Sequence, residues 1–221
     1  MYVLYLSIIG LIVGSYFFGN INFSIIISHL VKRDVRREGS GNPGTMNMLR
    51  SFGVKLGALT LVLDAIKGAV PAIIGWWLLG GTPDNPMAEM MTFGTDKTGL
   101  FIGGISVVLG HIFPVVYKFK GGKGVAVGGI MSIMVDWRCG IAVFAAFLIF
   151  AAISKYVSLG SIMGAAAFPS SLAFFTDFSS RQDVTTLIIA ILVAVLIIFL
   201  HRKNIVRIVT GKESRLSFKK K

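Results

Sequence analysis

Long apolar runs separated by short polar segments make up most of the chain. The first run, Leu4–Ile27, is interrupted by Gly19-Asn20-Ile21-Asn22. The later long runs are Leu56–Leu79, Gly99–Tyr117, Cys139–Ile153, Val157–Phe175 and Val184–Leu200. Several of them reach about 18 residues or more, the length of a helix that crosses a bilayer. The pattern therefore predicts an all-α integral membrane bundle that forms a single domain over residues 1–221.

The number of crossings depends on Val125–Val135, which is apolar but short. As a helix it would span about 17 Å, less than the ~30 Å of a bilayer core, so it and Cys139–Ile153 form either one crossing or two. Lys and Arg concentrate in His29–Lys55, in Gly110–Gly124 and in the tail from His201. Seven crossings place these segments on one side. The positive-inside rule therefore favours seven transmembrane helices, with the N-terminus outside and the C-terminus in the cytoplasm.

Composition narrows the class further. Apolar residues make up 54% of the 221 residues, the mean hydropathy is +0.78, and the net charge is +12. In a membrane protein, excess Lys and Arg reflects cytoplasmic loops, so we expect contact with the lipid bilayer and none with nucleic acid. The N-terminus lacks a basic region and a cleavage site, which favours a retained first helix over a signal peptide. The single Cys139 excludes an intrachain disulfide and lacks the company of a metal site.

The first polar segment of chemical interest is GSGNPGTMNMLR, Gly39–Arg50. Its glycines allow tight turns, and Arg50 can grip a phosphate through two parallel N–H bonds. Its hydrogen-bonding side chains are those of Ser40, Asn42, Thr45 and Asn47. An ordinary loop that caps the next helix would have the same composition, so spacing alone leaves both interpretations open.

The second segment, Gly110–Gly124, ends in Gly121-Gly122-Lys123-Gly124. Glycines permit a nest in which backbone N–H groups converge on an anion, and a helix that begins at Val125 would point its positive end at the loop. Lys123 is followed by Gly124 and not by a hydroxyl residue, so this is not a nucleotide-binding P-loop. A basic turn produced by topology is the alternative. His111 is either a base or a side chain that bonds within the bundle.

The third segment, HRKNIVRIVTGKE, begins at His201. His201, Asn204 and Arg207 lie three apart and would share a helix face. An amphipathic tail on anionic lipid is the alternative, although it explains Asn204 poorly. A separate pattern, His29 and Asp34 in HxxxxD spacing, is a motif of some glycerolipid acyltransferases. The chain lacks the other sequence blocks of those enzymes, and so short a pattern occurs often by chance.

These segments, as GSGNPGTMNMLR, GHIFPVVYKFKGGKGVAV and HRKNIVRIVTGKE, resemble the bacterial acyl-phosphate:glycerol-3-phosphate acyltransferase family, PlsY. The resemblance covers nearly the whole chain and includes LDAIKG around Asp64 and Lys67. It implies transfer of a fatty acyl group from acyl phosphate to the 1-hydroxyl of glycerol 3-phosphate. The products would be lysophosphatidic acid and phosphate, in phospholipid synthesis at the bacterial inner membrane. No cofactor is implied. The enzyme that forms acyl phosphate is an expected partner.

The resemblance also implies roles for individual residues. The phosphate of the donor would be held by Lys120, Gly121, Gly122, Lys123 and Gly124. Glycerol 3-phosphate would be bound by Ser40, Arg50, His201 and Asn204, with Asn42, Thr45 and Asn47 as further contacts. The catalytic candidates are His201, Asn204, Ser40 and His111. The general base stays open among His201, His111 and the substrate phosphate.

Two further expectations concern the surroundings of this site. Glycines at Gly103, Gly104, Gly128 and Gly129 would leave a groove for the acyl chain. Thr45-Met46 stands where the family usually has Ala-Thr, so Thr45 would have to supply any hydroxyl from one position earlier. We assign no catalytic role to the outward loop Gly80–Thr98.

Two rival functions remain. A carrier for phospholipid or phosphate would need polar residues along a path through the membrane, but Asp64 and Lys67 share a helix face and can neutralise each other. An acyl-CoA-dependent transferase would use His29 and Asp34.

Overall fold

The computed structural model describes residues 2–79, 97–179 and 181–215. Every regular element within these ranges is helical, as the apolar pattern predicts. The helices are α1 Tyr2–Gly19, α2 Phe23–Leu30, α3 Thr45–Phe52, α4 Val54–Leu78, α5 Lys97–Ile112, α6 Val125–Val135, α7 Trp137–Ser154, α8 Val157–Phe175, α9 Arg181–Leu200 and α10 Arg202–Val209. Short 3-10 turns occur at Val35–Arg37 and Val115–Tyr117. Of the predicted loop Gly80–Thr98, residues 80–96 lie outside the described residues.

Six segments of the described chain are long and apolar enough to cross a membrane. They are Tyr2–Leu30, Val54–Leu78, Lys97–Tyr117, Trp137–Ser154, Val157–Phe175 and Asp183–Leu200. Helix α6 is apolar but shorter. It is a separate helix from α7, because Asp136 caps the start of α7 by accepting from the N–H of Arg138 at 2.8 Å. The short fourth helix expected from the sequence therefore exists, and its status as a crossing stays a prediction.

The chain divides into two compact units, Met1–Val135 and Asp136–Lys221. In the first unit, α5 packs against α1, α4 and α6, and α4 also packs against α3. In the second unit, α8 packs against α7, α9 and α10. The expectation of a single domain over the whole chain stays a prediction.

The break between α1 and α2 falls at Asn20–Asn22, as the sequence predicts. Helix α2 begins there because the side chain of Asn22 accepts from the N–H of Ile25 at 3.1 Å, which supplies an acceptor that the helix start lacks. The Nδ2 of Asn22 also donates to the carbonyl of Pro43 at 3.4 Å. The break is thus a defined structure with contacts to the first polar segment.

Glycines bring the helices of the first unit into close contact. A Cβ at Gly103 would overlap the carbonyl of Pro71, and one at Gly104 would lie 2.7 Å from the sulfur of Met131. Small residues allow such approach between membrane helices. The predicted acyl groove is therefore wrong at Gly103 and Gly104, because neighbouring atoms fill that space. Gly129, in contrast, has nothing within 4 Å of the position of its absent Cβ.

Candidate active site

The buried side chain of Asn47 holds the first polar segment in shape. Its Nδ2 donates to the carbonyl oxygens of Val35 and Glu38, both at 2.9 Å, and its Oδ1 accepts from the N–H of Ser40 at 3.0 Å. Both amide hydrogens are therefore engaged with the backbone. The sequence predicts a substrate contact for Asn47. In the structure, its amide shapes the loop that would make such contacts.

The other candidates of this segment keep groups that can meet a ligand. Ser40 is exposed, and its Oγ accepts from the N–H of Asn42 at 3.4 Å. Thr45 is the first residue of α3, and its Oγ1 is buried without a hydrogen-bond partner in the described part of the chain. Arg50 is exposed and forms no hydrogen bond or ion pair within the described ranges. An unsatisfied hydroxyl and an unpaired guanidinium are groups that a phosphate can satisfy.

Two backbone N–H groups of the loop Gly121–Gly124 do not take part in the predicted anion-binding nest. The N–H of Gly121 donates to the carbonyl of Ile112 at 3.2 Å, and that of Gly122 to the carbonyl of His111 at 3.1 Å. The nest is therefore wrong for these two amides, because they satisfy the carbonyls at the end of α5. Both residues must be glycine for close approach, since a Cβ at either one would overlap atoms of His111.

Groups with the geometry and charge to suit an anion lie further along this loop. Helix α6 begins at Val125, as predicted, and its first bond runs from the N–H of Gly128 to the carbonyl of Gly124 at 2.7 Å. The N–H groups before it have no acceptor within the helix. Gly124 reaches this geometry with a φ of +77°, which favours glycine. Lys120 is exposed and Lys123 is partly exposed. The start of α6 and these two lysines are suited to a phosphate.

The break between α1 and α2 contacts both polar segments of the first unit. Asn22 bonds to Pro43 in the first segment. The Oδ1 of Asn20 accepts from the N–H of Val116 in the second, at 3.3 Å. The guanidinium of Arg36 also lies 6.0 Å from the ring centre of Tyr117. The sequence marks Asn20 and Asn22 merely as a helix interruption, because their partners are distant in the chain.

Asp64 and Lys67 are both buried in α4 and form the ion pair that their spacing predicts, with Nζ 3.3 Å from Oδ1. His111 is also buried, and its Nδ1 lies 2.9 Å from Nζ of Lys67. His111 therefore bonds within the bundle, and its role as a base stays a prediction.

His29 and Asp34 are close but weakly coupled. Their nearest atoms, Nε2 and Oδ2, are 3.8 Å apart, beyond hydrogen-bond distance. The Asp34 carboxylate instead accepts from Nε and Nη2 of Arg36 at 2.8–3.2 Å. This hydrogen bonding to Arg36 holds the pKa of Asp34 well below its usual range. A carboxylate bound in this way is a poor partner for orienting a histidine base.

The third segment, in the second unit, places His201 and Asn204 on one turn. The N–H of Asn204 donates to the carbonyl of His201 at 2.8 Å, and both side chains are buried. Nδ1 of His201 lies 2.8 Å from the carbonyl of Ile197. A carbonyl can only accept, so we infer that Nδ1 carries a hydrogen. In a neutral ring the lone pair is then on Nε2.

Glu213 is a central residue of this segment that sequence reasoning missed. Its Oε1 accepts from Oγ of Ser158 and from Nδ2 of Asn204, both at 2.8 Å, and its Oε2 accepts from Nε of Arg207 at 2.7 Å. Burial alone would raise the pKa of Glu213, but these three donors lower it below its ordinary value. One signal was available, since Glu213 is the single acidic residue in the basic tail from His201.

We expect Glu213→Gln to lower the free energy of unfolding by about 1–2 kcal/mol at neutral pH, because the partly exposed Arg207 loses its charged partner. A depressed carboxyl pKa contributes stability that is present above the unfolded-state pKa, about 4.3, and is lost as the pH falls through the folded-state pKa. Denaturant titrations in detergent should therefore show the two proteins converging on acidification. Lys212→Gln, at an exposed neighbour, is the control. A difference that persists in acid would contradict an ionic origin.

The fold and these segments describe a helical membrane protein with cationic, glycine-containing loops, and comparison with known proteins identifies its family. The sequence profile described as glycerol-3-phosphate acyltransferase matches residues 9–211. The glycerol-3-phosphate acyltransferase of Finegoldia magna is 38% identical over 214 residues, which cover 96% of this chain and 97% of the relative. That of Ralstonia pickettii is 39% identical over 209 residues, or 94% and 93% of the two chains. The chain belongs to the glycerol-3-phosphate acyltransferase family.

Two solved structures resemble this chain throughout its length. Both are crystal structures of PlsY (YgiH), described as an integral membrane glycerol 3-phosphate acyltransferase. The glycerol 3-phosphate form has a TM-score of 0.80, with 34% identity and 96% of each chain covered. The lysophosphatidic acid form has a TM-score of 0.75 at the same identity and coverage. The resemblance to the PlsY family and the integral membrane class predicted from the sequence are thereby confirmed.

Proposed function

We propose that this protein transfers a fatty acyl group from acyl phosphate to the 1-hydroxyl of glycerol 3-phosphate, giving lysophosphatidic acid and inorganic phosphate. The observation that carries the proposal is the family match over residues 9–211. The related structure's glycerol 3-phosphate and lysophosphatidic acid forms support the acceptor and the product. The donor is supported by the loop before α6, which offers a helix start and two lysines to a phosphate and lacks a P-loop hydroxyl.

The reaction needs positioning and charge stabilisation more than a covalent intermediate. The 1-hydroxyl oxygen attacks the carbonyl carbon of the donor, a new C–O ester bond forms, and the bond from that carbon to the phosphate oxygen breaks. Phosphate then leaves with the bonding electrons. Because acyl phosphate is already activated, holding the departing phosphate in place accounts for much of the catalysis. We assign that task to Lys120, Lys123 and Gly124 with the start of α6.

We assign the phosphate of glycerol 3-phosphate to Arg50 in the first polar segment, with Ser40 and Thr45 as hydroxyl partners. The roles that the family resemblance implies for His201 and Asn204 stay predictions. Asn42 is an additional contact in this assignment, and Asn47 acts by shaping the loop. Ser40 and Arg50 are exposed, and the Oγ1 of Thr45 has no hydrogen-bond partner within the described residues, so these three keep groups that can meet a ligand.

The tautomers of the two histidines bear on the choice of base. His111 faces the Lys67 ammonium with Nδ1, so its neutral ring carries hydrogen on Nε2 and has no lone pair to offer there. His201 has the opposite tautomer. We therefore propose His201 or the substrate phosphate as the proton acceptor. Phosphate monoesters have a second pKa of about 6, which suits that role.

We further propose seven crossings in the bacterial inner membrane, with the N-terminus outside and the chemistry on the cytoplasmic face. The concentration of Lys and Arg in the three polar segments supports this orientation. Helix α6 would be the short crossing, accommodated by burial among its neighbours. An enzyme that forms acyl phosphate would then deliver the donor from the cytoplasmic side.

Purified protein should convert radiolabelled glycerol 3-phosphate to lysophosphatidic acid with palmitoyl phosphate and not with palmitoyl-CoA. Thin-layer separation of the labelled lipid measures the product. His29→Ala is the control and should retain wild-type turnover, because Asp34 is held by Arg36.

The other outcomes separate the rival functions. Product formed exclusively from palmitoyl-CoA, together with loss of activity in His29→Ala, would establish the acyl-CoA transferase. Absence of product with either donor would favour a carrier. The buried Asp64–Lys67 ion pair speaks against a carrier, since it leaves no isolated charge on that face of α4.

A further inference from the structure

Lys67 is buried in α4 and is surrounded by hydrogen-bond acceptors. Its Nζ donates to the carbonyl of Ile21 at 2.6 Å and to that of Gly19 at 3.4 Å, both at the break after α1. Oδ1 of Asp64 lies at 3.3 Å. Oδ1 of Asp64 forms no hydrogen bond within the described residues, so its contact with Lys67 is an ion pair. An ammonium has three hydrogens and no lone pair, so Lys67 is a donor throughout and keeps one hydrogen after the two carbonyls. Its remaining neighbour, Nδ1 of His111 at 2.9 Å, must then accept as well.

This contact fixes the state of the His111 ring. An imidazole that accepts at Nδ1 and is neutral carries its hydrogen on Nε2, and the bond at Nδ1 also sets the ring orientation. Lys67 thus determines both which nitrogen is protonated and where the ring points.

The other end of the ring lies against the loop before α6. The Nε2 and both ring carbons beside it are the nearest atoms to a Cβ built at Gly122. The main chain of the same histidine accepts from the N–H of Gly122 at 3.1 Å. His111 therefore contacts this loop through both its ring and its carbonyl, and a shift of the ring would move Gly122.

Burying the ammonium of a lysine costs free energy of desolvation, which an apolar side chain that only fills space would not incur. Replacing a buried ion pair with apolar side chains of similar size is often neutral or stabilising, so the pair itself is weak evidence of a role in stability. A methionine would fill the same volume as Lys67. A methionine lacks the donor for Nδ1 of His111, and it also leaves the carbonyls of Gly19 and Ile21 without that donor. It removes the counter-ion of the buried Asp64 as well, so the test has to isolate the part of the effect that passes through His111.

We propose that Lys67 is a positioning residue that acts through His111, holding the loop Gly121–Gly124 in the geometry that binds the donor phosphate. Asp64 balances the charge of Lys67 from the preceding turn. The proposal rests on the proposed function for the identity of the phosphate. The contacts that carry it all lie within the first unit.

Kinetics of a double-mutant cycle test whether Lys67 acts through His111. We expect Lys67→Met to lower kcat/KM for palmitoyl phosphate by about 10- to 100-fold, on the scale of a small misplacement of a binding group. The kcat/KM of the double variant Lys67→Met/His111→Ala should lie within about twofold of that of the less active single variant. Effects that multiply in the double variant would overturn the proposal, as would a folded Lys67→Met with wild-type kcat/KM.

The matched control is Thr60→Val. Thr60 is fully buried on the same helix, and its Oγ1 bonds to the carbonyl of Leu56, within that helix. This variant should retain wild-type kcat/KM. A loss comparable to that of Lys67→Met would show a general packing effect and overturn the proposal.

Nitrogen-15 NMR of histidine-labelled protein provides a readout that needs no acyl donor and does not depend on the folding of Lys67→Met. The His111 signals are assigned by their loss in His111→Ala, since the chain has three histidines. We expect wild-type His111 to show hydrogen on Nε2 and a hydrogen-bonded, unprotonated Nδ1. Hydrogen on Nδ1 would overturn the proposal, even where Lys67→Met does not fold. If the wild type uses palmitoyl-CoA, the proposal that acyl phosphate is the donor is wrong. The same double-mutant cycle, run with palmitoyl-CoA, still tests the positioning role of Lys67.

Discussion

Gly121→Ala and Gly122→Ala are each expected to reduce kcat/KM by more than about 100-fold. A Cβ at Gly121 would overlap the carbonyls of His111 and Ile112, which end α5 and cannot turn aside. A Cβ at Gly122 would overlap the ring of His111, which Lys67 holds in place. The loop would have to shift by roughly 1 Å, a displacement that can cost about 100-fold when it moves groups that position a substrate.

Gly14→Ala is the matched control for both variants. Gly14 is an exposed residue of α1 in the same unit, with nothing within 4 Å of the added methyl group. Alanine is the better helix former by roughly 0.5–1 kcal/mol, so this variant should be at least as stable as the wild type and fully active. Steady-state kinetics with palmitoyl phosphate, together with thermal unfolding in detergent, separates loss of function from loss of fold. Wild-type kinetics in Gly121→Ala or Gly122→Ala would show that the loop tolerates the shift.

Helix boundaries were predictable wherever a local signal set them. The apolar runs predicted the long helices, and the interruption at Gly19–Asn22 predicted the break after α1. In the structure Asn22 and Asp136 each cap a helix start, which is also a local signal because a capping side chain acts on residues two or three positions away. The Asp64–Lys67 pair was predictable for the same reason, since i,i+3 spacing on a helix brings the two side chains together.

Contacts between distant residues were not predictable in this way. The glycines of the second segment suggested a nest, but whether an N–H group meets a ligand or a carbonyl depends on the end of α5, which the local pattern does not place. Asn47 and Glu213 each join three donors or acceptors, and their partners lie up to 55 residues away. Gly103 and Gly104 likewise pack against Pro71 and Met131, so the sequence could not show that their space is filled.

Arg50→Ala and Lys123→Ala are expected to impair different substrates. Loss of a hydrogen bond to a charged group costs about 1.5–3 kcal/mol, or roughly 10- to 150-fold in binding. Arg50→Ala should therefore raise KM for glycerol 3-phosphate by that factor, because the exposed guanidinium is assigned to its phosphate. Lys123→Ala should lower kcat/KM for palmitoyl phosphate. Its effect can reach about 100- to 1,000-fold in kcat if Lys123 stabilises the departing phosphate in the transition state.

Two further variants make this comparison specific. Arg50→Lys keeps the charge but loses the paired N–H groups that match a phosphate, so it should recover part of the lost affinity. Lys55→Ala removes an exposed charge from the start of α4, near Arg50 in sequence, and should leave both KM values unchanged. Varying each substrate at saturating levels of the other gives a KM for each substrate and one shared kcat. Wild-type kcat and KM in both Arg50→Ala and Lys123→Ala would show that the assigned phosphate contacts are wrong. An equal loss in Lys55→Ala would also contradict them, because overall charge would then explain the data equally well.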